Sequence, residues 1–254
     1  MRILILISML LFATNPCPSR AADISDDRYV EGLKGASKFI RALKEDDKKA
    51  VAHLIDYPFE REFPLPAIEN EGEFIENWDD FFNVENTAEL IGDSEPWVHG
   101  WRGVAIGHGQ VWFDESSGKI FRVQLRTPAF EEKWQKAKLI ESSSIHPIAQ
   151  KYQEVLVNCF TSTKHIRIQR HGEDDYRYFV WPKNSRTSIE PEMSLRGEFR
   201  MEGTIHAKYF TFKNGGITYV LSSNHSEGCG GDSWCLDVSK NGMSMISEQG
   251  CAER

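Results

Sequence analysis

The chain has 254 residues, with 38 acidic and 30 basic side chains and a formal net charge of −8. Phosphate backbones are gripped by clustered Lys and Arg, so this acidic balance excludes nucleic acid as the main partner. The length suits one large domain or two of ordinary size.

Arg2 followed by the apolar run Ile3 to Ala13 has the layout of a secretory signal, and Ser19-Arg20-Ala21-Ala22 supplies small residues for cleavage. The run is too short to span a bilayer, which takes about 20 apolar residues. Residues 1–22 are therefore expected to be a removable signal peptide. No membrane span follows its removal, and the destination is the periplasm or the extracellular space. Cys17 would suit a lipid-carrying cysteine, but Ala13-Thr14-Asn15-Pro16 lacks the leucine and small residues of such a site, so Cys17 is expected to leave with the signal.

Charge divides what remains. Residues 23–128 hold 22 acidic against 12 basic residues, whereas 129–254 hold 16 of each. The second stretch also holds Cys159, Cys229, Cys235 and Cys251. The chain reads as two domains, 23–128 and 148–254, joined by a linker over 129–147.

In the first domain, Ser25-Asp26-Asp27 caps a helix with Val30, Leu33, Ala36, Phe39, Ile40 and Leu43 at helical spacing. Glu45-Asp46-Asp47 starts a second helix with Ala50, Val51, Leu54 and Ile55 inward, stopped by Tyr57-Pro58-Phe59. Asn70 to Glu73 opens a third over Phe74 to Phe82. On it, Glu73, Glu76 and Asp80 read as a solvated face rather than paired catalytic carboxylates. Strands are expected over Trp101 to Phe113, interrupted by Gly103, Gly107 and Gly109, and over Lys119 to Leu125, with a hairpin turn at Asp114 to Gly118. Helices followed by a curved antiparallel sheet make an α+β domain.

The segments "DDKKAVAHLIDYPF", "EFIENWDDFF", "GWRGVAIGHGQVWFD" and "KIFRVQL" resemble, in that order, the nuclear transport factor-like or SnoaL-like superfamily of cone-shaped α+β domains. The resemblance implies a pocket on the concave face of the sheet. It implies no single activity, because that superfamily holds hydrolases, isomerases and binding domains. Trp78, Arg102, His108 and Trp112 are the residues expected to line such a pocket, with His108 the candidate base of an acid–base enzyme.

Residues 129 to 144 link the halves, and Ile148 to Cys159 reads as helix running into strand. Alternating segments then follow: His165 to Gln169, Tyr176 to Trp181, Met193 to Phe199, Tyr209 to Phe212, Ile217 to Leu221, Leu236 to Val238 and Met243 to Ile246. Asn214-Gly215 and Asn241-Gly242 mark tight hairpins, whose two central residues need positive φ. Many short strands at this spacing predict a mainly antiparallel barrel or sandwich, in general form like small disulfide-closed periplasmic domains such as lysozyme inhibitors. Tyr176, Tyr178, Trp181, Tyr209, Phe210 and Tyr219 are either cross-strand pairs or, with Arg167, Arg177 and Arg196, an exposed interface.

Four cysteines allow three pairings. The short Gly-rich spacing favours Cys229 with Cys235, leaving Cys159 for Cys251. A zinc site with His225 lacks a CxxC pair and suits a reducing compartment better. Gly231-Asp232-Ser233 resembles a serine-protease nucleophile segment, but Trp234 stands where that chemistry needs glycine. Asn224-His225-Ser226 is a glycosylation sequon. No metal or cofactor motif is present. The composition therefore points to an exported, non-catalytic binding protein for a small ligand or another exported protein, an inhibitor or immunity partner being one form. The alternative is a small-molecule hydrolase or isomerase built around His108.

Overall fold

The computed structural model describes residues 27–99, 102–203, 207–223, 229 and 234–253. The signal segment, the sequon, the Gly231-Asp232-Ser233 segment and Trp101 lie outside these residues. The protein is a mixture of helices and antiparallel sheets, one of them a closed barrel of eight strands. It divides into two compact units, residues 1–60 with 67–131, and residues 61–66 with 132–254.

The first unit begins with helix α1 (Val30–Lys44), which buries Ala36, Phe39, Ile40 and Leu43 at the expected spacing. Two glycines on α1 have a purpose that spacing does not reveal. A Cβ on Gly32 would lie 2.8 Å from Val104 Cγ2, and one on Gly35 would lie 2.1 Å from the Gly118 carbonyl. Bare backbone lets the helix approach the sheet closely, and this outweighs the roughly 1 kcal/mol by which each helical glycine is disfavoured.

The Asp47 carboxylate caps α2 (Lys48–His53) by accepting from the Ala50 N–H at 2.9 Å. The third expected helix is two: α3 (Glu71–Glu76) and α4 (Trp78–Phe81) break at Asn77, whose amide donates to the Glu73 carbonyl. The break resets the helical phase. Asp80, expected on a solvated face, is consequently buried. Helix α5 (Val84–Gly92) was not anticipated, although Asn83 and Asn86 form a reciprocal capping box at its start.

A four-stranded antiparallel meander follows: β1 (Trp97–Val98), β2 (Val104–Ile106), β3 (Val111–Phe113) and β4 (Ile120–Val123). Val104, Ile106, Val111 and Phe113 share one core cluster with Phe39 and Phe82. The stretch expected as one interrupted strand is a hairpin, because Gly107, His108 and Gly109 take φ of 56°, 51° and 86° in succession and reverse the chain. His108 therefore sits at a turn and not on a strand.

Residues 129–147, expected only to link the halves, are largely helical: α6 (Pro128–Ser144) is the longest helix described, and α7 (Pro147–Gln150) follows. Thr127 Oγ1 accepts from the Phe130 N–H, and proline at the first helical position needs no donor. That start signal, followed by a run of good helix formers, was legible in the sequence.

In the second unit, β5 (Glu154–Phe160), β6 (Lys164–Arg170), β7 (Tyr176–Pro182), β8 (Met193–Glu202), β9 (Ala207–Asn214), β10 (Ile217–Ser222), β11 (Trp234–Lys240) and β12 (Met243–Glu253) pair in chain order. Pairing of β12 with β5 closes the ring. A barrel of eight strands has an interior that side chains can fill. Val157, Ile166, Ile168, Tyr178, Phe210, Phe212, Trp234 and Leu236 are buried in one cluster there, with Tyr178 stacked on Phe212 at 4.9 Å. The aromatics of this half are thus mostly paired with one another, not displayed.

The closing seam is the thinnest. It has two register pairs, Phe160 with Ala252 and Cys159 with Glu253, against six on the β9–β10 seam. The Cys159–Cys251 disulfide lies at that seam, and Cys229 joins Cys235, the pairing expected from spacing. Lys240 pairs with Met243 around Asn241 and Gly242, which take φ of 50° and 82° as a two-residue hairpin requires. At the other Asn-Gly the expectation is one residue out. Asn214 is still in strand register with Ile217, so Gly215 and Gly216 form the turn.

Candidate binding site

The first unit has a groove of about 550 Å³, within the range of ligand pockets. Its walls come from three places. Ala42 and Leu43 end α1; Asp46 and Lys48 belong to the turn into α2; Trp78, Asp79, Phe82, Asn83, Val84, Thr87, Ala88 and Ile91 come from α4 and α5. Asp46 holds a left-handed φ of 52°, and the next N–H donates to the Ala42 carbonyl at 2.9 Å, which folds the chain sharply enough to put its carboxylate at the groove.

Trp78 is 9% exposed and packs on Phe82 at 4.6 Å. The Lys48 ammonium lies 5.1 Å from its ring centroid, an arrangement worth about 0.5–1 kcal/mol at an exposed site. Val84, at the first position of α5, is 83% exposed. The groove thus combines apolar walls, two carboxylates and an ammonium already seated against the indole.

Of the four residues expected to share a pocket, only Trp78 lines this groove. Trp112 lies on the sheet face turned away from the core, in register with Trp97 and Arg122 through Ala105. Its Nε1 donates to the Gly109 carbonyl at 2.6 Å, and its ring contacts Trp97 at 6.1 Å and His99 at 5.6 Å. The Arg102 N–H donates to the His99 carbonyl at 3.3 Å. His108 Nε2 lies 3.2 Å from Asp93 Oδ2, but its side chain is 93% exposed. A general base works best where water is excluded, and His108, though paired with Asp93, stands on a turn in open solvent.

The second unit holds a different cluster on the outer face of β6. Arg167, expected as part of an exposed interface, is 2% exposed because α6 covers it. Glu141 of α6 makes a two-pronged ion pair with its guanidinium and accepts from the Tyr152 hydroxyl. The guanidinium lies 5.2 Å from the Phe63 ring centroid and 5.0 Å from that of Tyr152. Burial, then the bond to Glu141, pushes the Tyr152 phenol above its ordinary pKa.

Beside them, His165 stacks on Phe160 at 4.3 Å and bonds Asn158 Oδ1 at 2.8 Å. Burial, then the neighbouring Arg167 charge, lowers its pKa to about 4, so it is neutral at physiological pH. His171 is held at about 4 by burial and Arg177. Among the described residues these groups satisfy one another, apart from Arg167 Nε and Gln169 Nε2, which find no hydrogen-bond partner there. The cluster fixes helix to barrel.

Among the described residues no group of three or more His, Cys, Asp or Glu is placed to hold a metal ion, and no helix is long and apolar enough to cross a membrane. No protein-family model, curated protein or solved structure matches the chain.

Proposed function

We propose that the chain is an exported, non-catalytic binding protein whose helical unit takes up a cationic, partly apolar group of another exported protein. The observation that carries this reading is the groove over Trp78, where apolar walls meet Asp46 and Asp79 in the acidic half of the chain. A carboxylate beside an apolar wall favours Lys or Arg side chains, whose stems pack while their heads pair. An inhibitor or immunity role toward a basic enzyme is one form of this function.

Two disulfides support export, since such bonds persist in oxidising compartments. The side-chain-filled barrel suits a scaffold better than a ligand cup. Helices preceding a four-stranded meander support the SnoaL-like reading of the first half and its order before a barrel, with the ligand groove among the helices instead of on the sheet. The His108–Asp93 pair, open to solvent, does not favour the enzymatic alternative.

The test places a photo-crosslinking residue at Val84 of the full exported chain. The expected outcome is an adduct with a basic exported protein that disappears in the Asp46→Lys, Asp79→Lys variant. An adduct unaffected by that charge reversal, or none at all, overturns the reading.

A further inference from the structure

The groove over Trp78 already holds a cation of the chain's own. Lys48 Nζ lies over the indole, 5.1 Å from the ring centroid, and both residues line the groove. Phe74 and Phe82 pack against the same indole at 6.3 Å and 4.6 Å. Among the described residues, neither the Lys48 ammonium nor the carboxylates of Asp46 and Asp79 make an ion pair, although all three residues line the groove. Helix α2 gives no reason for the lysine. Lys48 is its first residue, where the positive end of a helix favours acids and disfavours cations.

We infer that Lys48 is an internal stand-in for the ligand, displaced from the indole when an arginine of the partner enters the groove. This deepens the proposed function and rests on that reading. Three considerations select arginine over lysine. An incoming lysine replaces its own kind and gains nothing at the ring, against a competitor tethered within the site. A guanidinium is planar and more weakly hydrated than an ammonium, so it stacks on an indole at less desolvation cost. Its donors lie along its edge, where they can pair with a carboxylate while its face rests on the ring. Asp46 and Asp79 stand in the same walls to receive them.

Lys48 is half-buried at the start of a helix, and its flexible stem lets the ammonium move into water without moving the backbone. There it regains hydration and rotamer freedom, which offsets the contact it loses. The lysine thus keeps the indole covered while the groove is empty, and only a better cation takes its place.

The test is an NMR titration of the full chain with Nα-acetylarginine amide and, separately, with Nα-acetyllysine amide, at constant ionic strength. The Trp78 indole N–H reports binding. The arginine probe is expected to bind more tightly than the lysine probe. Lys48→Ala removes the competitor and should tighten both by about two- to five-fold, the worth of an exposed cation–π contact. Lys48→Arg installs a stronger stand-in and should weaken both; if Lys48→Ala fails to fold, this variant alone carries the test. Equal or weaker binding by Lys48→Ala overturns the inference and leaves the groove reading intact, as does Lys48→Arg binding as tightly as the unsubstituted chain. A lysine probe that binds as well as the arginine probe overturns the choice of arginine. A Trp78 signal unmoved by either probe in every form of the chain overturns the groove reading, and this inference with it.

Discussion

The two units solve stability in opposite ways. The first is held by side chains: α1 lies against the sheet through bare glycines, and strands of two to four residues contribute few ladder bonds. The second is held by its ladder, with eight strands of six to eleven residues closed on themselves and stapled at the thinnest seam. A packed helical layer leaves clefts where helices diverge, and the groove over Trp78 is one. A closed barrel fills its interior and leaves function to its rim, edges and outer face. Under the proposed function, recognition falls to the acidic unit and rigidity to the neutral one.

Removing the Cys159–Cys251 bridge tests that contrast most severely. Its closed loop of 92 residues corresponds to about 4–5 kcal/mol in the chain-entropy model. Cys159→Ser with Cys251→Ser is expected to remove about that much from the barrel alone, read by urea denaturation with hydrogen exchange resolved by unit. Equal loss in both units would mean that the division is false.

Glu141→Ala comes next. It strands a buried guanidinium, a change worth about 3–5 kcal/mol, and it too should affect only the second unit. Adding Arg167→Met should restore most of the loss, because an apolar replacement needs no partner. A double variant as unstable as the single would show that the pair does more than neutralise itself.

Acidification should separate the units as well. His165 and His171 have folded pKa values near 4, below the ordinary 6.5. Between those values the unfolded chain binds protons that the folded chain refuses, so stability is full above pH 6.5 and falls as pH drops toward 4. Melting of the barrel measured against pH should show this fall, and His165→Asn should flatten it. A curve unchanged by that substitution would assign the dependence to other groups.

The smallest effect belongs to the first unit. Asp47→Ala removes the α2 cap and should lower stability by about 1 kcal/mol, with no change in barrel exchange rates. A loss in the barrel instead would contradict the independence of the two units.

Much of this was legible where one local rule decided the outcome. Helix α1 announced itself by spacing, and Asn241-Gly242 by turn chemistry. The bridge from Cys229 to Cys235 followed from proximity in the chain. Reading failed where two local rules competed. Asn214-Gly215 looked like its counterpart, but ladder register moved the turn to Gly215-Gly216. Phe74 to Phe82 looked like one helix, but Asn77 turned its amide back onto the chain and re-aimed Asp80. The start of α6 at Thr127-Pro128 carries a readable local signal, a capping hydroxyl followed by proline, in a segment whose composition resembles a linker.

By itself, then, the sequence determined helices α1 and α2, most of the barrel strands, which cysteines pair and where the acidic charge lies, because spacing, turn chemistry and composition are local properties. The tertiary structure alone decided that Arg167 is buried, that His108 stands in open solvent and that the groove forms around Trp78. Burial depends on what another element places over a residue, and at Arg167 that element is α6, 26 residues away in the chain through Glu141.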